Sequence, residues 1–233
     1  MKYGVKNINK SYGDLKILED INIEFDEYKT TCILGESGAG KTTLLNILAG
    51  ITEKDSGEVV GFQDKDFSFV FQEDRLIKWK NVRDNIRFIL SDKIDKEKID
   101  NTIDEYLKLV KLEDYKHYYP RELSEGMRQR ISILRAFIYP SNILIMDEPF
   151  KSLDINNKQN VIELFKKFSD IQNKTCILVT HDIDEALSLG DKIVIFSNKP
   201  TKVKMIIENK AILDNACDDK RREIREIIEN LLM

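Results

Sequence analysis

No apolar run in the sequence exceeds four residues, the length of Ile143–Met146 and Ile193–Phe196. A membrane-crossing helix needs about twenty, so the chain is not expected to span a bilayer. Met1 to Lys10 contains no apolar block either, and no secretory signal is expected there. Cysteine is scarce. Cys32, Cys176 and Cys217 stand far apart, in no CxxC or metal-binding spacing, and read as reduced thiols of a cytosolic protein. Neither sign of charge dominates: 37 Lys and Arg face 41 Asp and Glu, a net charge of −4, which gives nucleic acid no general attraction. Repeats, coiled-coil heptads and low-complexity linkers are missing as well. What remains is 233 residues, 42% hydrophobic and 33% charged. That suffices for one large domain with a buried core and argues against global disorder.

The patterning alternates strand and helix. Ile21, Ile23 and Phe25 alternate with Asn22, Glu24 and Asp26, as in a half-buried strand of an N-terminal antiparallel part. Phe67, Phe69 and Phe71 repeat the period. Cys32-Ile33-Leu34 is a short apolar strand that runs into Gly35–Gly40, and Leu44, Leu45, Ile47 and Leu48 then mark a helix ending near Gly50. From about Val82 to Tyr139 the chain reads as mainly helical, with Ile99, Ile103, Tyr106, Leu107 and Val110 on one face. Ile143–Met146, Cys176–Val179 and Ile193–Phe196 have the unbroken apolar character of central parallel strands, and Asn160–Phe168 is a crossover helix between the first two. Ile224, Ile227, Ile228 and Leu231 predict a closing helix within 214–233. The layout is α/β and nucleotide-binding: one domain over 1–233, with an inserted helical subdomain at about 82–139.

Two motifs carry chemistry on their own. Gly35-Glu36-Ser37-Gly38-Ala39-Gly40-Lys41-Thr42 fits G-x-x-x-x-G-K-[ST] at every fixed position, after a strand and before a helix. Such a loop wraps phosphates with backbone N–H groups at a helix N-terminus. Lys41 would pair with the β- and γ-phosphates of ATP or GTP, and the Thr42 hydroxyl would ligate Mg²⁺. The second motif is a buried strand ending in Asp147-Glu148-Pro149. It delivers Asp147 to the edge of the sheet where ligands bind, as a second Mg²⁺ ligand, with Glu148 placed to orient or deprotonate an attacking water.

Leu123-Ser124-Glu125-Gly126-Met127-Arg128-Gln129-Arg130 resembles the LSGGQ-type signature of ABC-transporter ATPases. The family's other markers follow in order: Tyr12 as the aromatic on adenine, Gln72 in Phe71-Gln72-Glu73-Asp74, Ser152-Leu153-Asp154 as the D-loop, and the switch histidine in Thr180-His181-Asp182. The resemblance implies a P-loop NTPase with a RecA-like core, an antiparallel β part in front and the helical insert. It also implies an ATP site built from Tyr12, Gly35, Glu36, Ser37, Gly38, Ala39, Gly40, Lys41, Thr42 and Thr43. Thr42, Gln72 and Asp147 would hold Mg²⁺. Glu148, His181 and Gln72 would serve hydrolysis, and Ser124, Gly126 and Asp154 would act on nucleotide held by a second cassette. The active form is then a head-to-tail homodimer or heterodimer.

Two residues depart from the family text. Glu125 replaces the usual first glycine of the signature and is expected to point outward, and Lys151 stands where many relatives carry a small residue and is expected to be a solvated lysine, with tuning of dimer contacts as the alternative. Asp147-Glu148-Pro149-Phe150 and the run Phe71-Gln72-Glu73-Asp74-Arg75-Leu76-Ile77-Lys78-Trp79 look like importer cassettes of the nitrate/sulfonate/taurine group, with Lys78 in place of a proline. The implied partners are integral-membrane permease subunits and, through them, an extracytoplasmic solute-binding protein. The chain would sit peripherally at the cytoplasmic face of the membrane. Trp79 is either an aromatic anchor for a permease helix or part of the insert's core, and His117 reads as structural or partner-facing. Two further readings are an ABC ATPase acting on nucleic acid or ribosomes, and a regulatory ATP binder without turnover. The stretch from Gln72 to Ser124 is short for the first, and no nucleic-acid partner is expected. Intact Glu148 and His181 oppose the second. The regulatory C-terminal domain of maltose-type relatives is not expected.

Overall fold

A computed structural model describes residues 3–62, 67–151, 153–209 and 218–232. Two sheets organise them. β1 (Tyr3–Tyr12) pairs antiparallel with β2 (Leu15–Phe25) on one side and with β4 (Ser56–Val60) on the other. The second sheet runs β5-β6-β7-β3-β8-β9, made of β5 (Phe67–Val70), β6 (Ile143–Asp147), β7 (Thr175–Thr180), β3 (Thr30–Leu34), β8 (Lys192–Phe196) and β9 (Val203–Glu208). All its pairings are parallel except β8 with β9.

Both faces of this sheet are covered, which explains why its strands are apolar without alternation. Ile33, Ile145, Ile177, Val179 and Val194 pack with α1 (Lys41–Leu48) and the antiparallel sheet. Their neighbours Cys32, Leu34, Leu144, Met146 and Leu178 point the other way, into the helices. That second layer contains α2 (Val82–Leu90), α3 (Lys96–Leu109), α4 (Glu125–Ile138), α5 (Ile155–Ile171), α6 (Ile183–Leu189) and α7 (Asp218–Leu232). Ile99, Ile103 and Leu107 are buried at the helical spacing that the sequence predicts, and the crossover helix is longer than its apolar stretch alone suggested.

Three expectations change. β5 lies in the parallel sheet, and its most buried side chains are Ser68 and Val70, with Phe67 and Phe69 half-buried. Phe71 lies beyond the strand and stacks on Phe69 at 4.2 Å. A hydroxyl is tolerated inside because Ser68 Oγ shares a hydrogen bond with Ser141 Oγ at 2.7 Å. In α7, Ile228 is fully buried and Ile224 and Leu231 pack beside it, whereas Ile227 is exposed. The remainder of the predicted closing segment, 214–217 and 233, lies outside the described residues, as do Cys217 and Ser152. Trp79 is 80% exposed, so it contributes nothing to the core of the insert.

Candidate nucleotide site

Register brings the chemistry to one line. Leu34 pairs with Thr180 and Asp147 with Val179, so the loops after β3, β6 and β7 leave the sheet at the same level. The loop after β3 enters α1 through Gly40, whose φ of 74° is left-handed; a Cβ there would also come within 2.7 Å of Ile17 Cγ2. Thr201 supports the loop from behind, its Oγ1 donating to the Ala39 carbonyl at 2.9 Å.

Lys41 is buried and folds back on its own loop. Its Nζ donates to the carbonyls of Gly35 at 2.7 Å and Glu36 at 2.8 Å. Burial pulls its pKa down, against the opposing pull of Glu148 and Asp147. Thr42 Oγ1 donates to Asp147 Oδ1 at 3.1 Å. Burial raises the Asp147 carboxyl above the usual carboxylate range, and the Thr42 hydrogen bond offsets part of that. Among the described residues no cluster of three or more His, Cys, Asp or Glu could hold a metal. The Thr42–Asp147 pair offers only oxygen donors, which fit a hard divalent cation that completes its shell with phosphate oxygens and water.

Glu148 follows in a left-handed conformation, φ 43°, with its N–H donating to the Val179 carbonyl at 3.0 Å. A positive φ is uncommon for a residue with a Cβ, and such turns re-aim side chains at functional sites. Here it places the carboxylate between three cations or potential cations. Lys41 Nζ is 3.6 Å from Oε1, Lys151 Nζ 2.7 Å from Oε2 and His181 Nδ1 3.3 Å from Oε2. Burial alone would raise its pKa; Lys151, Lys41 and His181 together outweigh that and hold it below the ordinary glutamate value. Lys151 is thus an ion-pair partner as well as the exposed lysine that the sequence suggests.

Tyr12, Ser37, Gly38, Gly40, Lys41, Thr42, Thr43, Gln72, Glu148, Lys151 and Lys199 share one cavity of about 400 Å³. Lys151 and Lys199 carried no motif, and only the position of Lys151 beside the D-loop hinted at the site. Tyr12 keeps one ring face under Lys10 Nζ, 5.2 Å from the centroid. The segment after His181 is tied to α5: Lys158 Nζ lies 2.5 Å from Asp182 Oδ2 and 2.6 Å from the buried Glu185 Oε1.

Ser124, Gly126 and Asp154 do not line this cavity. Ser124 caps α4, accepting from Met127 N at 3.3 Å, and Asp154 caps α5, accepting from Asn157 N at 3.0 Å. The two helix starts touch: a Cβ on Gly126 would meet Asn157 Oδ1 at 2.8 Å. Ser124, Glu125, Asp154 and Ile155 are exposed there, Glu125 outward as expected. Gln72 also borders a second cavity, about 770 Å³, lined by Asp74, Leu76, Trp79, Glu125 and Arg128. Asn85 shapes its rim: buried in α2, it accepts from Ile77 N at 2.8 Å and donates to the carbonyls of Ile77, Lys80 and Asn81. His117 is exposed beside Tyr118 and Tyr119.

A family model described as ABC transporter matches residues 18–151. The aliphatic sulfonates import ATP-binding protein SsuB of Bacillus cereus is 38% identical over 213 residues, covering 88% of this chain and 83% of the relative. The sulfate/thiosulfate import ATP-binding protein CysA of Synechocystis sp. is 36% identical, covering 83% of this chain and 58% of the relative. Among solved structures, the dimeric structure of MJ0796, a bacterial ABC transporter cassette, superposes with a TM-score of 0.76 at 28% identity, covering 90% of this chain and 99% of that one. The post-hydrolysis state of the same cassette bound to ADP and Pi matches equally. The chain belongs to the ABC transporter family, and its fold is that of a P-loop ABC cassette.

Proposed function

We propose that this member of the ABC transporter family is the ATP-binding, ATP-hydrolysing subunit of a membrane importer, working as a head-to-tail pair of cassettes around two ATP molecules. The observation that carries the reading is the single cavity in which the phosphate loop, Glu148 and Gln72 meet, with Asp147 and His181 at its edge. The relatives named for sulfonate and sulfate import support the importer assignment and favour a small solute such as nitrate, a sulfonate or taurine.

Tyr12 stacks on the base with its free face. Lys41 turns from the carbonyls of Gly35 and Glu36 to the β- and γ-phosphates, and the N–H groups from Ser37 through Thr43 enclose them. Thr42, Asp147 and Gln72 would hold Mg²⁺. When bound, Mg²⁺ neutralises charge on the phosphate oxygens. Glu148 takes a proton from water as its oxygen bonds to the γ-phosphorus and the bond to ADP breaks. His181 donates to the γ-phosphate oxygen. Ser124 and Gly126 contact the γ-phosphate held by the partner cassette, and Asp154 lies at that junction.

Among the described residues no helix is long and apolar enough to cross a membrane, so transport requires permease subunits. The 770 Å³ groove beside Gln72 receives a permease helix with Trp79 as anchor. An extracytoplasmic solute-binding protein completes the importer, and the cassette sits peripherally at the cytoplasmic face. The test is recovery of tagged Glu148→Gln protein from detergent-solubilised membranes with ATP and Mg²⁺. A co-purifying multispanning protein is expected. Ribosomes or nucleic acid without any membrane protein would overturn the importer reading.

A further inference from the structure

Three groups approach the Glu148 carboxylate, and two of them have other work. Lys41 already donates to loop carbonyls and turns to phosphate when nucleotide enters; His181 donates to the γ-phosphate. Lys151 has no such claim on it. Its Nζ stands 2.7 Å from Glu148 Oε2, the shortest of the three contacts. The two residues share a turn, the Lys151 N–H donating to the Glu148 carbonyl at 3.3 Å, so the lysine moves with the carboxylate. Glu148 is 9% exposed and Oε2 is buried, satisfied by charge rather than by an aligned hydrogen bond. Oε1 faces Lys41 and therefore the phosphate end of the cavity.

We propose that Lys151 is a positioning residue for hydrolysis: it holds Oε2 of Glu148 so that Oε1 is the oxygen presented to the attacking water. The inference rests on Glu148 as the base. A glutamate side chain left free among its rotamers samples the productive geometry only part of the time, and a fixed ion pair on one oxygen removes that search. The Lys151 side chain is 37% exposed, so the pair carries less of the cost of a fully buried charge.

The test compares Lys151→Met and Lys151→Arg in the full chain, by steady-state ATP turnover with Mg²⁺ and by nucleotide titration. Lys151→Met is expected to lower kcat roughly tenfold while KM and the Kd for ATP stay within about twofold. Lys151→Arg keeps the charge and the donor and is expected to restore at least half of the lost rate. In the Glu148→Gln background, Lys151→Met should leave the ATP-dependent dimer fraction unchanged, as seen by sedimentation. A kcat for Lys151→Met within twofold of wild type would overturn the proposal, as would an arginine variant no better than methionine. Loss of the dimer in the double variant would move Lys151 to the subunit junction and overturn it too. Glu148→Gln turning over at the wild-type rate would remove the base itself, and this inference with it. An inactive Glu148→Gln beside a fully active Lys151→Met would remove only the lysine's role.

Discussion

The phosphate-loop half of the site and the signature half are built on opposite principles. The first is closed upon itself: Lys41 is buried, hydrogen-bonded to its own loop and paired with Glu148, and Thr42 already touches Asp147. The second is locally capped and otherwise open, with Ser124, Glu125 and Asp154 at the surface and Ile155 87% exposed beside them. In the proposed pair of cassettes the partner covers this side chain, although a single exposed aliphatic residue does not by itself require one. The contrast fits the proposed reading, in which one half takes nucleotide within the single chain and the other acts only in a pair of cassettes.

The sharpest way to break this comparison is Lys41→Ala. Nucleotide binding by the single chain should weaken by about a hundredfold or more, roughly 3 kcal/mol, in a fluorescent-nucleotide titration; a change under threefold would show that the loop is not the primary grip. Ser124→Arg is the converse. It should abolish the ATP-dependent dimer of the Glu148→Gln chain in sedimentation and leave single-chain affinity within about twofold. Weakened single-chain binding would mean that the two halves are not separate. Lys158→Met tests the tie between α5 and the segment after His181: it leaves the carboxylate of Glu185 buried without its cation and should cost about 3 kcal/mol of stability, read from a urea unfolding curve. The smallest effect is expected from Ile155→Ser, which should weaken the dimer by about 1–2 kcal/mol without moving the melting temperature. A dimer indifferent to Ile155 would take that residue out of the covered surface.

Legibility in the sequence followed contiguity, not this divide. The phosphate loop and Asp147-Glu148 could be read because contiguous residues between apolar strands need little tertiary information. The Lys151–Glu148 pair could not. It depends on the left-handed turn at Glu148, and a residue with a Cβ gives no sign in sequence of adopting φ 43°. Alternation misled at β5, because a period of two identifies a strand without saying which face is the more buried, and the Ser68–Ser141 pair lets the polar side be the inner one. Asn85 carried no motif; its hydrogen bonds to Ile77 and Lys80 arise only when α2 folds back on the Trp79 loop. Trp79 itself required a surface to decide between anchor and core.

Gln72 borders both the 400 Å³ and the 770 Å³ cavities. Any coupling carried by this shared side chain must be reciprocal. If filling the groove tightens ATP binding by some factor, ATP must tighten the groove's occupant by the same factor, whichever arrives first. Titrating nucleotide with and without the membrane partner, and the partner with and without nucleotide, should return one number twice.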